Sequence, residues 1–137
     1  MIFSSDLLTY VESIDAQHKE LFNRINAVVA LGAKSISKEE TEKTLILLDS
    51  YIHEHFRDEE LLQIQFGYPK FEWHRSLHLY YISECNKLQK VYENTGPSAQ
   101  FTLLLNKSII DWIVKHIKNV DVELGRFING LDTLSMP

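Results

Sequence analysis

A single cysteine, Cys85, in 137 residues excludes an intrachain disulfide and any cysteine-based zinc site. Three prolines and five glycines leave the chain few places to turn or break. Basic charge is not in excess. Lys and Arg number 14 against 19 Asp and Glu, a net charge of −5, so a nucleic-acid partner, which calls for a basic face, is not expected. No segment approaches the roughly 18 apolar residues of a membrane span, so no membrane partner is expected either. The opening stretch MIFSSDLLTY has neither the basic region nor the apolar core of a secretory signal, and a cytoplasmic protein is expected. The length suits one domain over 1–137 that buries a core without disulfides.

What the chain does have is helical periodicity. Glycine and proline cluster at Gly32, at Gly67 with Pro69, at Gly96 with Pro97, and at Gly130. Between them lie four segments, from about Ile14 to Leu31, Lys38 to Gln65, Pro69 to Tyr92 and Ser98 to Asn129. Each carries an apolar stripe at helical spacing. The stripes read Ile14, His18, Leu21, Ile25, Val28; then Leu45, Leu48, Ile52, His55, Glu59, Leu62, Phe66; then His74, His78, Tyr81, Cys85, Leu88, Tyr92; then Leu105, Ile109, Trp112, Ile113, His116, Ile117. Ser37 before KEE, and Ser98 after Gly96-Pro97, are start signals. Four helices with short joints predict an all-α fold, an antiparallel up-down-up-down four-helix bundle over 13–130. Residues 1–12 are expected to cross it as an extended N-terminal arm, anchored by Tyr10.

The stretch HEHFRDEE, 53–60, is dense in ligand chemistry. A zinc protease helix needs His-Glu-x-x-His, but the second histidine would fall at position 57, which is Arg57. What remains is His55 with Glu59, four apart on one helix face. Five of the six histidines, His18, His55, His74, His78 and His116, lie on inward stripes, with at least one from every helix. His53, about 200° round the helix from His55, is expected to face solvent. Polar side chains on an apolar stripe must be satisfied, and metal satisfies five imidazoles and a carboxylate jointly. Such donors suit iron, zinc, copper or manganese. The carboxylate-rich di-iron bundles need Glu-x-x-His on two helices; here the nearest match is Asp15-x-x-His18, once. A histidine-rich site with a bridging carboxylate fits two metals better than one.

These motifs together resemble the hemerythrin family, specifically its single-domain bacterial members. The likeness is carried by IDAQHKELFNRIN around His18, HFRDEE from His55, FGYP at 66–69, HRSLH from His74 to His78, and WIVKHIKNVD from Trp112 to Asp121, and it covers nearly the whole chain. The resemblance implies two iron ions, Fe2+ or Fe3+, with an oxo or hydroxo bridge. It places His74, His78 and His116 on one iron, His18 and His55 on the other, and Glu59 and Asp121 across both. The iron with fewer histidines keeps an open position for dioxygen. The protein then carries dioxygen reversibly for storage, delivery or scavenging, and is not an enzyme.

An apolar pocket would oppose charge separation and exclude water. Leu21, Phe56, Trp112, Ile113 and Ile117 lie within a turn of the ligands and are candidates to line it as an oxygen pocket. Ile113 stands where bacterial members commonly have leucine, and the arm lacks the tryptophan usual there. His116 and Asp121 are five apart, about 140° in a regular helix. Both reach one metal pair only if the helix widens between them, so a π-like irregularity is expected there.

Other functions stay open at this point. One is an oxygen or redox sensor acting through a signalling partner, although the chain carries no attached signalling segment before Pro137. Another is a di-iron enzyme acting on peroxide or nitric oxide, for which Tyr10, Tyr51 and Tyr81 are the nearest proton donors. The plainest is a bundle that takes up zinc adventitiously. Partners beyond dioxygen would be an oxygen-consuming enzyme or a signalling protein, and the chain would be a monomer or a homo-oligomer.

Overall fold

The computed structural model describes residues 1–31 and 37–131; the joint expected at Gly32 lies outside them. The fold is all-α. Helix α1 spans Glu12–Leu31, α2 Lys38–Phe66 and α3 Phe71–Thr95. The fourth helix, α4, runs over 99–128, with α-helical stretches Ala99–Leu104, Trp112–His116 and Val122–Ile128. Two wider π-helical stretches, Leu105–Asp111 and Ile117–Asp121, interrupt it. The four helices form the bundle that the stripes predict, with no strand among the described residues.

Local chemistry sets the boundaries. The Ser37 hydroxyl accepts the Glu40 N–H at 3.2 Å, relieving one unpaired donor at the start of α2. Ser98 does the same for the Phe101 N–H at 3.1 Å. Helix α2 stops at Gly67, whose φ of 65° a side chain would resist. That stop leaves Phe66, expected on the inward stripe, 45% exposed. Gln63, one turn before Gly67, takes the inward place and is 0% exposed. The predicted stripes of α1 and α3 are buried throughout, and in α4 only Trp112 is half-buried. His53 faces solvent.

The widening expected between His116 and Asp121 is present at Ile117–Asp121, where the Val122 N–H reaches back five residues to the Ile117 carbonyl. A turn closed from i to i+5 brings positions five apart into register. The Leu105–Asp111 widening was not anticipated. There the Tyr81 hydroxyl donates to the Ile109 carbonyl at 3.0 Å.

The arm lies along the bundle, but Tyr10 is not its anchor. Tyr10 is 74% exposed, and its φ of 61° turns the ring away from the helices. Leu7 and Thr9 are the buried anchors. The Thr9 N–H and hydroxyl each donate to Asp15 Oδ1 at 2.8 Å, and the Tyr10 N–H donates to Asp15 Oδ2 at 3.1 Å. Asn129 Nδ2 donates to the Tyr10 carbonyl at 3.2 Å. Near the other end, the N-terminal ammonium donates to Asn26 Oδ1 at 3.1 Å. The arm thus spans α1 and α4, and its short 3₁₀ turn, Ser5–Leu7, packs on the widened Ile117–Asp121 segment.

The arm approaches α4 so closely that only glycine fits at 125. A Cβ there would meet the Thr9 carbonyl oxygen at 2.2 Å. Gly125→Ala is therefore expected to push the arm off the bundle and to cost about 1–3 kcal/mol of stability. Urea unfolding and protease cleavage within residues 1–10 would measure it. An unchanged midpoint with an uncut arm would contradict the clamp.

The buried core falls into two clusters. The larger holds Leu21, Ile25, Ile52, Phe56, Tyr81, Ile113 and their neighbours. The smaller holds Ile14, Tyr68 and Leu124. Along α1, His18 lies between Ile14 of the smaller cluster and Leu21 of the larger, and along α4, Asp121 lies between Leu124 and Ile117.

Candidate metal centre

The structure brings the seven donors of the sequence reading together. They form two groups whose ligand atoms lie within 4.8 Å of one another: Glu59, His74, His78, His116 and Asp121 in one, His18, His55, Glu59 and Asp121 in the other. All seven are buried. Glu59 and Asp121 belong to both groups, and their oxygens divide between them. Glu59 Oε1 lies 3.1 Å from His74 Nε2 and 3.1 Å from His78 Nε2. Its Oε2 faces the other way, 3.4 Å from His55 Nε2 and 3.7 Å from His18 Nε2. Asp121 repeats the pattern: Oδ1 is 2.9 Å from His74 Nε2 and 3.1 Å from His116 Nε2, and Oδ2 is 3.0 Å from His18 Nε2. The widened turn of α4 aims Asp121 inward, where a regular helix would aim it about 140° away from His116.

Several of these donors lack a hydrogen-bond partner. Among them are both oxygens of Glu59, both ring nitrogens of His18, His78 Nε2 and Asp121 Oδ1. Buried polar atoms are rarely left so. Neutral imidazoles and carboxylates are hard-to-borderline donors that suit iron, so the residues present fit the metal that the resemblance implies.

A further layer fixes the imidazoles. His55 Nδ1 lies 2.8 Å from Gln17 Oε1, so the ring N–H donates there and Nε2 keeps its lone pair inward. Gln17 is itself held by Asp58, its Nε2 donating to Oδ2 at 2.9 Å. His78 Nδ1 donates to Glu60 Oε2 at 2.8 Å. Sequence reasoning missed Gln17, Asp58 and Glu60. The available signal was adjacency, since Gln17 precedes His18 and Glu60 follows Glu59.

The expected pocket residues lie beside the donors. Leu21, Phe56, Ile113 and Ile117 are buried in the larger cluster, with Trp112 packed at its edge. Phe56 stacks on His78 at 3.8 Å between centroids, and Trp112 stacks on His116 at 4.7 Å. The tyrosines weighed as proton donors are otherwise placed. Tyr81 donates to the Ile109 carbonyl and Tyr51 to the Gln17 carbonyl, and Tyr10 is exposed. Cys85 is a small core residue whose thiol is pushed up by burial.

Charge explains how the cluster stands with no metal bound. Burial raises Glu59 and Asp121, but surrounding imidazoles outweigh it and hold both carboxyls well below their ordinary range. Burial pulls His18 and His74 down, yet the Asp121 and Glu59 carboxylates beside them lift them to about 9 and about 10. His55 goes the other way, since burial takes it to about 4. The two buried carboxylates thus favour protonated imidazoles beside them, His18, His74 and His78 all being raised, and metal ions would take the place of those protons.

The folded metal-free protein therefore holds protons that the unfolded chain releases above pH 6.5, the ordinary histidine value. That stabilisation is complete below about pH 6.5 and is lost as pH rises through about 9 to 10. The Tm of the metal-free protein is expected to fall across this alkaline window, and the metal-loaded protein is expected to be flat there. Thermal melts from pH 6 to 10.5 on both forms would check it.

The family model for the hemerythrin HHE cation binding domain matches residues 9–128 of the chain. Among curated proteins, the chain is 27% identical over 114 residues to the bacteriohemerythrin of Campylobacter jejuni subsp. jejuni serotype O:23/36 (strain 81-176), covering 83% of this chain and 84% of that protein. It is 26% identical over 113 residues to the myohemerythrin of Theromyzon tessulatum, covering 82% of this chain and 80% of that one. Among the described residues, no helix is long and apolar enough to cross a membrane.

Proposed function

This chain belongs to the hemerythrin family, and from that premise we propose that it binds dioxygen reversibly at a pair of non-haem irons. His74, His78 and His116 would hold one iron, His18 and His55 the other, and Glu59 and Asp121, which belong to both groups, would serve both. Two irons held there would supply the reversible two-electron chemistry that binding and release of dioxygen call for. The whole chain acts as one hemerythrin-like domain, with the arm over 1–12 and the bundle over 13–130.

The observation that carries this reading is the asymmetry of the two groups. They share both carboxylates, but one has three imidazoles and the other two. The poorer group, one imidazole short, would leave its metal one position for a small ligand. The hydrocarbon side chains of Leu21, Phe56, Ile113 and Ile117 keep water from it, while Gln17 and Glu60 keep His55 and His78 in the tautomer that ligates. The commitment of Tyr51 and Tyr81 to backbone carbonyls supports a carrier over an enzyme that must deliver protons.

The test is an optical spectrum of the ferrous-loaded protein without oxygen, with oxygen, and after its removal, with iron measured on the same sample. A visible charge-transfer band that comes and goes, at two irons per chain, is expected. Irreversible oxidation without such a band would favour a redox sensor or an enzyme, and negligible iron would overturn the reading.

A further inference from the structure

Gln63 has no part in the site described so far, yet its position makes demands. It is 0% exposed, and neither its Nε2 nor its Oε1 has a hydrogen-bond partner among the described residues. A carboxamide buried in this state costs free energy, so it calls for a ligand. Its backbone cannot relieve it. The Gly67 and Tyr68 N–H groups both bond to the Gln63 carbonyl in the cap that ends α2, which fixes the residue in place.

Where the side chain can reach follows from helix geometry. Gln63 is four residues after Glu59 on the same buried face, and residues so spaced are neighbours. Side chains on a helix lean toward its N-terminus, so the Gln63 carboxamide lies back over the turn that carries Glu59. Both Glu59 oxygens are without a hydrogen-bond partner, so the amide does not bond them directly. One bridging oxygen would serve the amide and the carboxylate together. Such a ligand needs two to four polar partners, and the amide N–H, the amide oxygen and the Glu59 carboxylate supply them. The hydrocarbon residues proposed for the oxygen pocket belong to the other side of the centre. Gln63 follows Glu59 along α2 in the direction of Tyr68 and the smaller cluster, whereas Leu21 and Ile113 belong to the larger one.

We infer that Gln63 forms a polar site on the carboxylate side of the metal pair, where its carboxamide holds a water that hydrogen-bonds the Glu59 carboxylate. This deepens the metal-site reading and rests on it. Gln63 is a positioning residue and acts on the metals through that water and Glu59. By donating its N–H it draws negative charge away from the centre and favours the reduced metals.

The experiment compares wild type with Gln63→Met, which keeps the length and removes both polar atoms, and with Gln63→Leu as a second variant. Tm is read metal-free and loaded with Zn2+, which fills the site without redox chemistry. The metal-free variants are expected to melt a few degrees above wild type, because an unpaired amide is gone. The rise in Tm on zinc loading is expected to be smaller in the variants, because the amide's contact to the loaded centre is gone too. In iron-loaded protein the midpoint potential is expected to move negative. A metal-free loss of stability in both variants would show that the amide is already satisfied within the chain. That result, an equal rise on loading, or an unmoved potential overturns the inference. If wild type gains nothing from zinc or iron, the metal-site reading itself fails. Equal rises with a normal wild-type gain sink only the Gln63 contact.

Discussion

Glu59→Ala is expected to take the protein from two bound metal ions per chain to essentially none after desalting. The reason is the division of labour within one carboxylate. Oε1 faces His74 and His78, and Oε2 faces His18 and His55, so one substitution removes an oxygen from each group. It also removes one of the two negative charges that offset the incoming cations. Losing a partner that only orients a ligand, such as Gln17, weakens metal binding roughly 10–100-fold. Losing a ligand shared by both metals is expected to exceed that. Glu54→Ala, on the exposed face of the same helix, serves as the control and keeps both metals. Metal analysis beside circular dichroism separates metal loss from unfolding. A folded Glu59→Ala protein that retains two ions would remove Glu59 from the centre.

Ile113→Gln is expected to shorten the life of the oxygenated protein about tenfold or more, the consequence of a barrier lowered by about 1.4 kcal/mol. Ile113 is buried with Leu21, Phe56 and Ile117 beside the donors. An amide there is left unpaired unless water follows it, at about 1–3 kcal/mol for the unsatisfied group. Water so admitted would stabilise separated charge and bring protons to the site. Ile113→Leu preserves volume and polarity and is expected to stay within about threefold of wild type. The decay of the oxygenated absorption band under air, at matched iron content, measures both. Equal lifetimes in Ile113→Gln and wild type would remove Ile113 from the pocket.

Legibility in the sequence followed regularity. The helices and most of the core could be read because His18, His55, His74, His78 and His116 share stripes with leucines and isoleucines at helical spacing. Asp121 could not be reached that way. It falls off the stripe of His116, and only resemblance together with an expected widening of α4 placed it inward. The second widening, at Leu105–Asp111, has no signature in LNKSIID, because the Tyr81 hydroxyl that meets its Ile109 carbonyl comes from another helix. Periodicity also failed at helix ends. Phe66 continues the pattern of α2, but Gly67 stops the helix and Gln63 turns inward instead. The arm misled for a related reason. Tyr10 is its largest side chain near the bundle, yet the backbone turns there, and the smaller Thr9 is seated by Asp15.

The division of the core has a consequence for how the molecule opens. Between the large cluster and the small one of Ile14, Tyr68 and Leu124 stands a layer of charged and aromatic nitrogen and oxygen atoms. Hydrophobic cohesion does not run across such a layer; the metals would supply the continuity. Without them the small cluster, together with Val11 at the end of the arm, becomes a separate foldon of low stability. Amide hydrogens of residues 11–15 and 122–128 would then exchange well ahead of those in the middle of α1 and α3, and metal would bring all of them onto one common exchange time.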